Sequence, residues 1–372
     1  MYRIKLADED ELVKKHLEDD GFITEVQKLM KSYLTKDAWD YTYKKGKSIK
    51  LKVETHSDTY RFLEKYSEEE NLKKLLAGDF NVQHQIIKDV FAGIPDGSHK
   101  TNTETKRFEP INNRKSDIPK DAHIEVDDFN SILRSLFEDQ LFDGKASGEV
   151  HINKEKVVAR LGLRVCPYCG RTYIYSVSPE RGGKRVKVKP QIDHFLPKSK
   201  FPFLAVNLYN LIPSCTPCNM EPAKGDKSPL VEFGKKDLKI MHPFLFEDNR
   251  ITFLYDARSE APYDASEMDI KVNYHGNDVL KNGYNDFFFI DELYKYHNVE
   301  AHDLYYRMKT WKSEAQKAYK ALGLPDDYWA MQPELFFGFP LNESQAPLRP
   351  LFKFYKDIYK QLSNDFRTGK IK

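Results

Sequence analysis

The four cysteines of this chain lie in two C-x-x-C pairs, Cys166 with Cys169 in RVCPYCG and Cys215 with Cys218 in SCTPCN. In a reducing compartment such pairs indicate a metal site, because disulfides seldom persist there. Four thiolates are the set that a closed, tetrahedral structural zinc site uses. Four unligated thiols would leave the pairing unexplained, and a thioredoxin-like redox site needs only one pair. The spacing therefore predicts a structural Zn²⁺.

A second group of chemically useful residues lies between and directly after the cysteine pairs. Asp193 and His194 are adjacent in QIDHF, and Asn210 and Asn219 flank the second pair. This set suits phosphodiester hydrolysis, since a neutral imidazole can take a proton from water at cellular pH. A hard Mg²⁺ or Mn²⁺ prefers oxygen ligands, which Asp193 and Asn219 offer. Asn210 is then expected to orient the backbone or the His194 ring.

The order of these residues carries a family resemblance. The run DH, then N-L-x-x-x-C-x-x-C-N, then K-G resembles the HNH, or ββα-metal, endonuclease family in its four-cysteine zinc form, over about residues 164–230. The resemblance implies that His194 is the general base, that Asp193 and Asn219 bind the catalytic metal, and that Asn210 is structural. It also implies 5′-phosphate and 3′-hydroxyl products. The third motif letter is Asn here rather than His, a variation that the family shows.

A narrower resemblance comes from the spacing around the motif. It is similar to the HNH nuclease subunit of Septu-type bacterial anti-phage systems, which works beside an ATPase. This implies an effector in anti-phage defence, with DNA as substrate and an ATPase or sensor protein as partner. An insertion, MEP, before Ala223 and Lys224 lengthens the usual spacing to the Lys-Gly pair. The sequence has no Walker-type glycine loop, so ATP dependence would have to come from the partner.

Basic residues surround the predicted site. From Arg181 to Lys200 there are seven Lys or Arg residues against one acid, Asp193. Beside a cleft, such residues would pair with backbone phosphates and give salt-sensitive, largely sequence-independent affinity. The alternative is a solvated hairpin with its charges on the outward face. The residues predicted to contact DNA are Arg181, Lys184, Arg185, Lys187, Lys189, Lys198, Lys200, Lys224 and Lys227.

Composition sets the outer limits on the fold. With 372 residues, 40% of them hydrophobic and 31% charged, the chain can bury one or two ordinary cores. Its 59 basic and 57 acidic residues nearly cancel, so overall charge argues neither for nor against a nucleic-acid partner. No run has the about 20 apolar residues that a membrane helix needs, and the first residues lack the apolar region of a signal peptide. We therefore expect a soluble, cytoplasmic protein with no membrane partner.

Helical periodicity dominates both ends of the chain, and β-rich segments lie near its centre. TYIYSV and KRVKVKPQIDHF, separated by SPERGGK, predict a hairpin with Asp193 and His194 at its far end. The predicted class is α+β, with a zinc-stapled ββα module between mainly helical regions. The predicted regions are a helical N-terminal region over residues 1–92, a polar linker over 93–122, a helical lead-in over 123–163, the ββα nuclease module over 164–240 and a mostly helical C-terminal region over 241–372.

Two alternatives to an active nuclease stay open. One is a zinc-stabilised nucleic-acid-binding or adaptor protein without catalysis, which would have no use for Asp193, His194 and Asn219 together. The other is an effector whose helical flanks keep the nuclease silent until a signal arrives. His242, His297 and His302 are expected to be packed or exposed residues without a direct role.

Overall fold

A computed structural model shows helices and four two-stranded sheets within the residues that it describes. This mixed architecture agrees with the predicted α+β class. Among the described helices, none combines the length and apolar character that a membrane crossing requires. The predicted linker 93–122 lies outside the described residues. Those residues are 1–5, 8–43, 47–53, 55, 57–92, 129, 132–144, 150–177, 179–185, 189–231, 236–258, 264–324 and 341–370.

The N-terminal region is mainly helical, as its periodicity predicts. Its helices are α1 Glu9–Glu18, α2 Phe22–Leu34, α3 Asp58–Tyr66, α4 Glu69–Ala77 and α5 Phe80–Ala92. Two strands, β1 Ala38–Tyr43 and β2 Lys47–Lys52, form an antiparallel hairpin that was not predicted. The signal was the alternation of apolar and polar residues in AWDYTY and KSIKLK. The Trp39 indole anchors this hairpin by donating to the Tyr33 carbonyl at 2.9 Å.

The central region combines short helices with two small antiparallel pairs of strands. Its elements are a π-helical segment Arg134–Phe142, α6 Lys154–Leu161, β3 Glu180–Arg181, β4 Lys184–Arg185, β5 Gln191–His194, β6 Leu211–Ser214 and α7 Thr216–Asn219. Strand β3 pairs with β4 across the two-glycine turn, and β5 pairs with β6.

The predicted partner strand of TYIYSV lies partly outside the described residues, so this pairing stays a prediction. Within the described part of the chain Tyr173 forms an isolated bridge with Val165, Val177 also takes part in a β-bridge, and Asp193 pairs with Ile212 in β6. Strand β6 is buried along its whole length, so it offers β5 an apolar partner that the exposed residues 175–177 do not. The turn at SPERGGK is correct, but it closes only the short pair of β3 and β4.

The described part of the C-terminal region contains one pair of strands and four α-helices. Strands β7 Thr252–Ala257 and β8 Met268–Asn273 form the hairpin, and the helices are α8 Asp278–Phe288, α9 Ile290–Lys295, α10 Asn298–Ala321 and α11 Phe352–Arg367. Helix α11 packs on β7 through polar contacts. The Phe253 amide donates to Asp357 Oδ2 at 3.0 Å, and the Tyr255 hydroxyl donates to Asp365 Oδ2 at 2.7 Å.

The connection between β5 and β6 passes through the core. Buried apolar residues from the N-terminal, central and C-terminal regions form one contiguous cluster, and every residue of 201–215 is buried within the protein. Two short 3₁₀ turns, Pro202–Leu204 and Leu208–Asn210, satisfy part of this backbone. The remaining buried amides and carbonyls need other partners. We call residues 195–210 the core loop.

Three buried histidines surround this loop and lie in an environment that opposes protonation. Burial lowers the pKa of His16 to about 4 and the pKa of His194 and His242 to about 3. In the unfolded chain each ring has a pKa near 6.5. Below pH 6.5 the unfolded state therefore binds more protons than the folded state, and stability falls as the pH falls towards 4.

We expect each of the three rings to lower the free energy of unfolding by about 1.4 kcal/mol between pH 7.5 and pH 5.5, or about 4 kcal/mol together. Urea unfolding at a series of pH values measures this loss. His242→Phe keeps an aromatic ring beside Phe195, whose ring centroid is 4.2 Å from that of His242, and should remove about a third of the histidine contribution. A wild-type curve that stays flat over this range would show that the rings bind protons equally well in the folded and unfolded states.

Candidate functional site

The four cysteine thiols converge on one point in the protein. Their Sγ atoms all lie within 4.8 Å of one another, and all four residues are buried. The Sγ atoms of Cys169 and Cys215 are 4.0 Å apart, close to the about 3.8 Å between two sulfurs of a tetrahedron with Zn–S bonds of about 2.3 Å. The Arg171 amide donates to the Cys169 sulfur at 3.4 Å. This donor set fits the predicted structural zinc ion.

Two tight turns present these thiols. In the first turn the Gly170 amide donates to the Cys166 carbonyl at 2.8 Å. Gly170 has φ +67°, a left-handed conformation that glycine adopts without strain. In the second turn the Cys218 amide donates to the Cys215 carbonyl at 3.1 Å at the start of α7. Each C-x-x-C pair is therefore a local turn, and the fold has to join only two turns to complete the cluster.

His194 closes strand β5, and its ring is fixed by the core loop. Its Nε2 lies 2.9 Å from the Ala205 carbonyl oxygen. Since a carbonyl only accepts, Nε2 carries the proton and Nδ1 holds the lone pair of the neutral ring. Among the described residues, none bonds Nδ1. Burial, followed by the charge of Lys198, lowers the pKa of the ring to about 3.

Asp193, the neighbour of His194, is held on both carboxylate oxygens. Lys224 Nζ lies 3.0 Å from its Oδ1 and also donates to the His194 carbonyl at 2.7 Å. The Tyr168 hydroxyl donates to Oδ2 at 2.5 Å. Lys224 is fully buried, so this is an interior ion pair. Burial and the adjacent carboxylate raise the pKa of Tyr168 well above its usual value, which keeps the hydroxyl a donor.

The two asparagines of the predicted site have different surroundings. Asn210 is buried in the core loop, where its Oδ1 accepts from the Leu196 amide at 2.7 Å and its Nδ2 donates to the Leu204 carbonyl at 3.0 Å. It thus holds the loop backbone rather than the His194 ring. Asn219 ends α7 and is half-buried. Its Nδ2 donates to Gln191 Oε1 at 2.6 Å, which turns the end of α7 towards the start of β5.

Three of the lysines predicted to contact DNA already have partners inside the protein. Lys198 Nζ is 2.9 Å from Glu138 Oε1, and Lys227 Nζ is 3.1 Å from Asp286 Oδ1. Both remain partly exposed, so a phosphate can reach them. Lys224 is different, because its buried ammonium neutralises Asp193 and does not reach the surface in this arrangement.

The other predicted DNA contacts belong to the β3–β4 hairpin and its surroundings. Lys189 is exposed, and Lys200 is half-buried. The backbones of Arg181, Lys184 and Arg185 lie in β3 and β4, but their side chains are outside the described portion of the structure, as is the whole of Lys187.

Asn207 is a site-building residue that was not predicted. Its Oδ1 accepts from Gln83 Nε2 at 2.7 Å, and its Nδ2 donates to the Leu75 carbonyl at 2.8 Å. It thereby joins the core loop to helices α4 and α5. His16 does the same from α1, since its Nε2 lies 3.1 Å from the Val206 carbonyl oxygen. The available signal was a polar residue inside the apolar run FLAVNL, because a buried amide must be hydrogen-bonded.

The predicted divalent-cation site does not fit this arrangement. Both oxygens of Asp193 are engaged, and the Lys224 ammonium at 3.0 Å would repel a second cation. The Asn219 amide oxygen is one neutral ligand, whereas Mg²⁺ in proteins takes one or two carboxylates together with waters. The four thiols are therefore arranged to bind a zinc ion, whereas the residues predicted to bind Mg²⁺ or Mn²⁺ are not arranged to bind a divalent cation.

We expect Cys215→Ser to lose bound zinc and to lower the Tm by on the order of 10 °C, because zinc binding contributes to the folding free energy. Zinc analysis and calorimetry on the same preparations measure both effects. Ser214→Ala is the matched control, since the buried Ser214 hydroxyl has no hydrogen-bond partner and its removal should cost little. Unchanged zinc content and Tm in Cys215→Ser would contradict a zinc ion at this cluster.

We expect Lys224→Met to lower the free energy of unfolding by about 3 kcal/mol or more, because it leaves a buried carboxylate without its counter-charge. Urea unfolding of Lys224→Met, Asp193→Asn and the double variant gives their coupling, which should be about 2 kcal/mol in magnitude. Lys353→Met is the matched control, since this buried lysine pairs with Asp248 and Asp357 instead. The changes in unfolding free energy of Lys353→Met and Asp193→Asn should add in the double variant. If the changes for Lys224→Met and Asp193→Asn also added, Lys224 and Asp193 would not be coupled.

The described site combines a four-thiol cluster, a histidine whose Nε2 is fixed, and a neutralised aspartate. The thiol cluster can tie two turns together, and the lone pair on Nδ1 of His194 can accept a proton. Comparisons of the chain with protein-family models, with curated proteins and with solved structures found no match.

Proposed function

We propose that the protein is an HNH-type endonuclease that hydrolyses DNA phosphodiester bonds, with His194 as the general base. The observation that carries the proposal is the ring of His194, whose Nε2 is fixed by the Ala205 carbonyl while no described residue bonds Nδ1. This ring ends one strand of a hairpin whose other strand leads directly into Cys215 of the thiol cluster. A strand, a loop, a strand and a short helix in this order are what the resemblance to the ββα-metal family implies.

In the proposed reaction Nδ1 takes a proton from water, and the resulting hydroxide attacks phosphorus. The bond to the 3′ oxygen breaks and this oxygen takes a proton from a second water, which gives 5′-phosphate and 3′-hydroxyl ends. The low pKa keeps His194 neutral at cellular pH, but it also makes the ring a weak base. A phosphate beside Lys198 and His194 would offset the lysine charge that lowers this pKa, and would strengthen the base when substrate is bound.

The resemblance also implies a divalent cation, Mg²⁺ or Mn²⁺, at Asp193 and Asn219. Since Lys224 neutralises Asp193 here, the roles proposed for the chain itself rest on His194 and on the exposed basic residues. From the same resemblance we propose a cytoplasmic effector of anti-phage defence that acts beside an ATPase or sensor protein.

A second function is favoured by one specific observation. Asp193 is engaged on both oxygens, and His194 is only 6% exposed. A zinc-stabilised nucleic-acid-binding or adaptor protein does not use Asp193 or His194 for catalysis, so it would not need these side chains to be accessible. It would keep the cysteines and the basic hairpin, and it would bind DNA without cutting it.

Plasmid cleavage tests the proposed function. We expect the wild-type protein to nick or linearise plasmid with Mg²⁺ or Mn²⁺, and His194→Ala to lose at least about 100-fold in rate, as for loss of a general base. Imidazole in the buffer should restore some of the activity to His194→Ala. His16→Ala is the matched control, because it removes the same kind of bond from the next carbonyl of the core loop and should lower stability while cutting persists.

The arms of this experiment separate the two functions. Equal cutting by wild type and His194→Ala would remove His194 from the reaction. Binding without cutting, in both proteins and with every cation, would favour the adaptor function. An EDTA arm with zinc content measured alongside shows whether a loss of cutting follows the catalytic cation or the structural zinc.

A further inference from the structure

A short extended segment beside the thiol cluster exposes three large side chains to solvent. Tyr173 is 55% exposed, Tyr175 is 58% exposed and Val177 is 46% exposed, whereas Ile174 between the tyrosines is 4% exposed. Successive side chains of an extended strand point to opposite sides. The buried Ile174 therefore directs both tyrosine rings outward on the same side. We call Tyr173–Val177 the tyrosine edge.

The tyrosine edge has a rigid base and free rings. The Cys166 amide donates to the Thr172 carbonyl at 2.9 Å, and the Ile174 amide donates to the Arg164 carbonyl at 2.7 Å. These bonds attach the segment to the first cysteine turn. Among the described residues, none makes a hydrogen bond or a ring contact with the side chain of Tyr173 or Tyr175. Two aromatic faces are thus held in place, and no described residue pairs with them.

The sequence around the tyrosine edge favours an anionic partner. Residues 171–189 contain six Lys or Arg residues and one acid, Glu180, and the Lys189 side chain is exposed. Exposed aromatic rings within a basic segment match a nucleic-acid strand, whose bases stack on the rings while its phosphates meet the cations. A lipid surface offers negative charge but no planar groups to stack on the tyrosine rings. An acidic peptide carries few planar groups that could stack on both rings.

The spacing of the rings distinguishes a single strand from a duplex. Residues two apart in an extended strand are about 6.7 Å apart, about twice the 3.4 Å base step along one strand of a duplex. Bases inside a duplex are also stacked on one another, so their faces are not accessible to the tyrosine rings. We propose that the tyrosine edge binds single-stranded nucleic acid by stacking unpaired bases on Tyr173 and Tyr175. This deepens the proposed function, on which it rests for the chemistry of the substrate.

Fluorescence anisotropy with a labelled 20-nucleotide thymidine strand, and with a duplex that contains it, tests the proposal. The full-length His194→Ala protein serves as the parent, without added Mg²⁺ or Mn²⁺, so that no cutting interferes. We expect Tyr173→Leu with Tyr175→Leu to raise the Kd for the single strand at least about 25-fold, that is about fivefold for each ring. The Kd for the duplex should change less than threefold.

Two matched variants separate stacking from general apolar contact and from fold damage. Tyr173→Phe with Tyr175→Phe keeps both aromatic faces and should retain the single-strand Kd within about threefold. Tyr306→Leu removes a tyrosine of similar exposure, 50%, from helix α10, and should leave binding unchanged. Zinc content and Tm of each variant confirm that the first cysteine turn is intact.

Three results would overturn the proposal. An unchanged single-strand Kd in the double Leu variant would show that the rings do not contact the strand. An equal loss for strand and duplex would show that the edge does not select unpaired bases. A wild-type dimer that becomes monomeric in the double Leu variant, with nucleic-acid binding unchanged, would assign the edge to a second copy of the chain. Plasmid cutting by wild type together with any of these results would leave the proposed function standing.

Discussion

The structure depends on satisfying the backbone of an irregular loop that runs through the core. Residues 201–215 are all buried, and an unpaired buried amide or carbonyl costs about 1–3 kcal/mol. Side chains supply the bonds that a sheet or helix would otherwise provide. Asn210 bridges the loop to itself, Asn207 joins it to α4 and α5, and His16 and His194 hold adjacent carbonyls. The bond that orients the proposed base is therefore one of the bonds that hold the core together.

The electrostatics of Asp193 follow from the same burial. A carboxylate placed next to this loop needs a counter-charge, since an isolated buried ion is very costly. The protein provides it with a lysine of its own, and the Tyr168 hydroxyl satisfies the other oxygen. The consequence is a competition between stability and cation binding, because the group that stabilises Asp193 also repels a divalent cation. His194 does not face this competition, since its ring is neutral and needs no counter-charge.

Sequence patterns predict the regions of the fold that depend on interactions between residues close together in the chain. The cysteine spacing predicts the thiol cluster because each pair is a self-contained turn, and helical periodicity predicts α1 to α5 because each helix buries its own apolar stripe. Strand pairing was predicted less well, since alternation marks a strand without naming its partner. Strand β5 pairs with β6, across the core loop. The pairing of Lys224 with Asp193 could not be predicted either, because a lysine after a turn gives no local sign that it pairs with a residue 31 positions earlier.

The smallness of the central hairpin explains why both the cysteines and the loop asparagines are needed. Strands β5 and β6 have four residues each, and an isolated two-stranded hairpin is marginally stable in water. One end of this hairpin continues into the core loop, which Asn207 and Asn210 hold to the helices and to itself. The other end continues into the turn of Cys215 and Cys218, which the thiol cluster ties to the first turn. A ligand-binding or catalytic role for His194 requires both attachments, because either one alone would leave the end of β5 free to move relative to the residues that orient its ring.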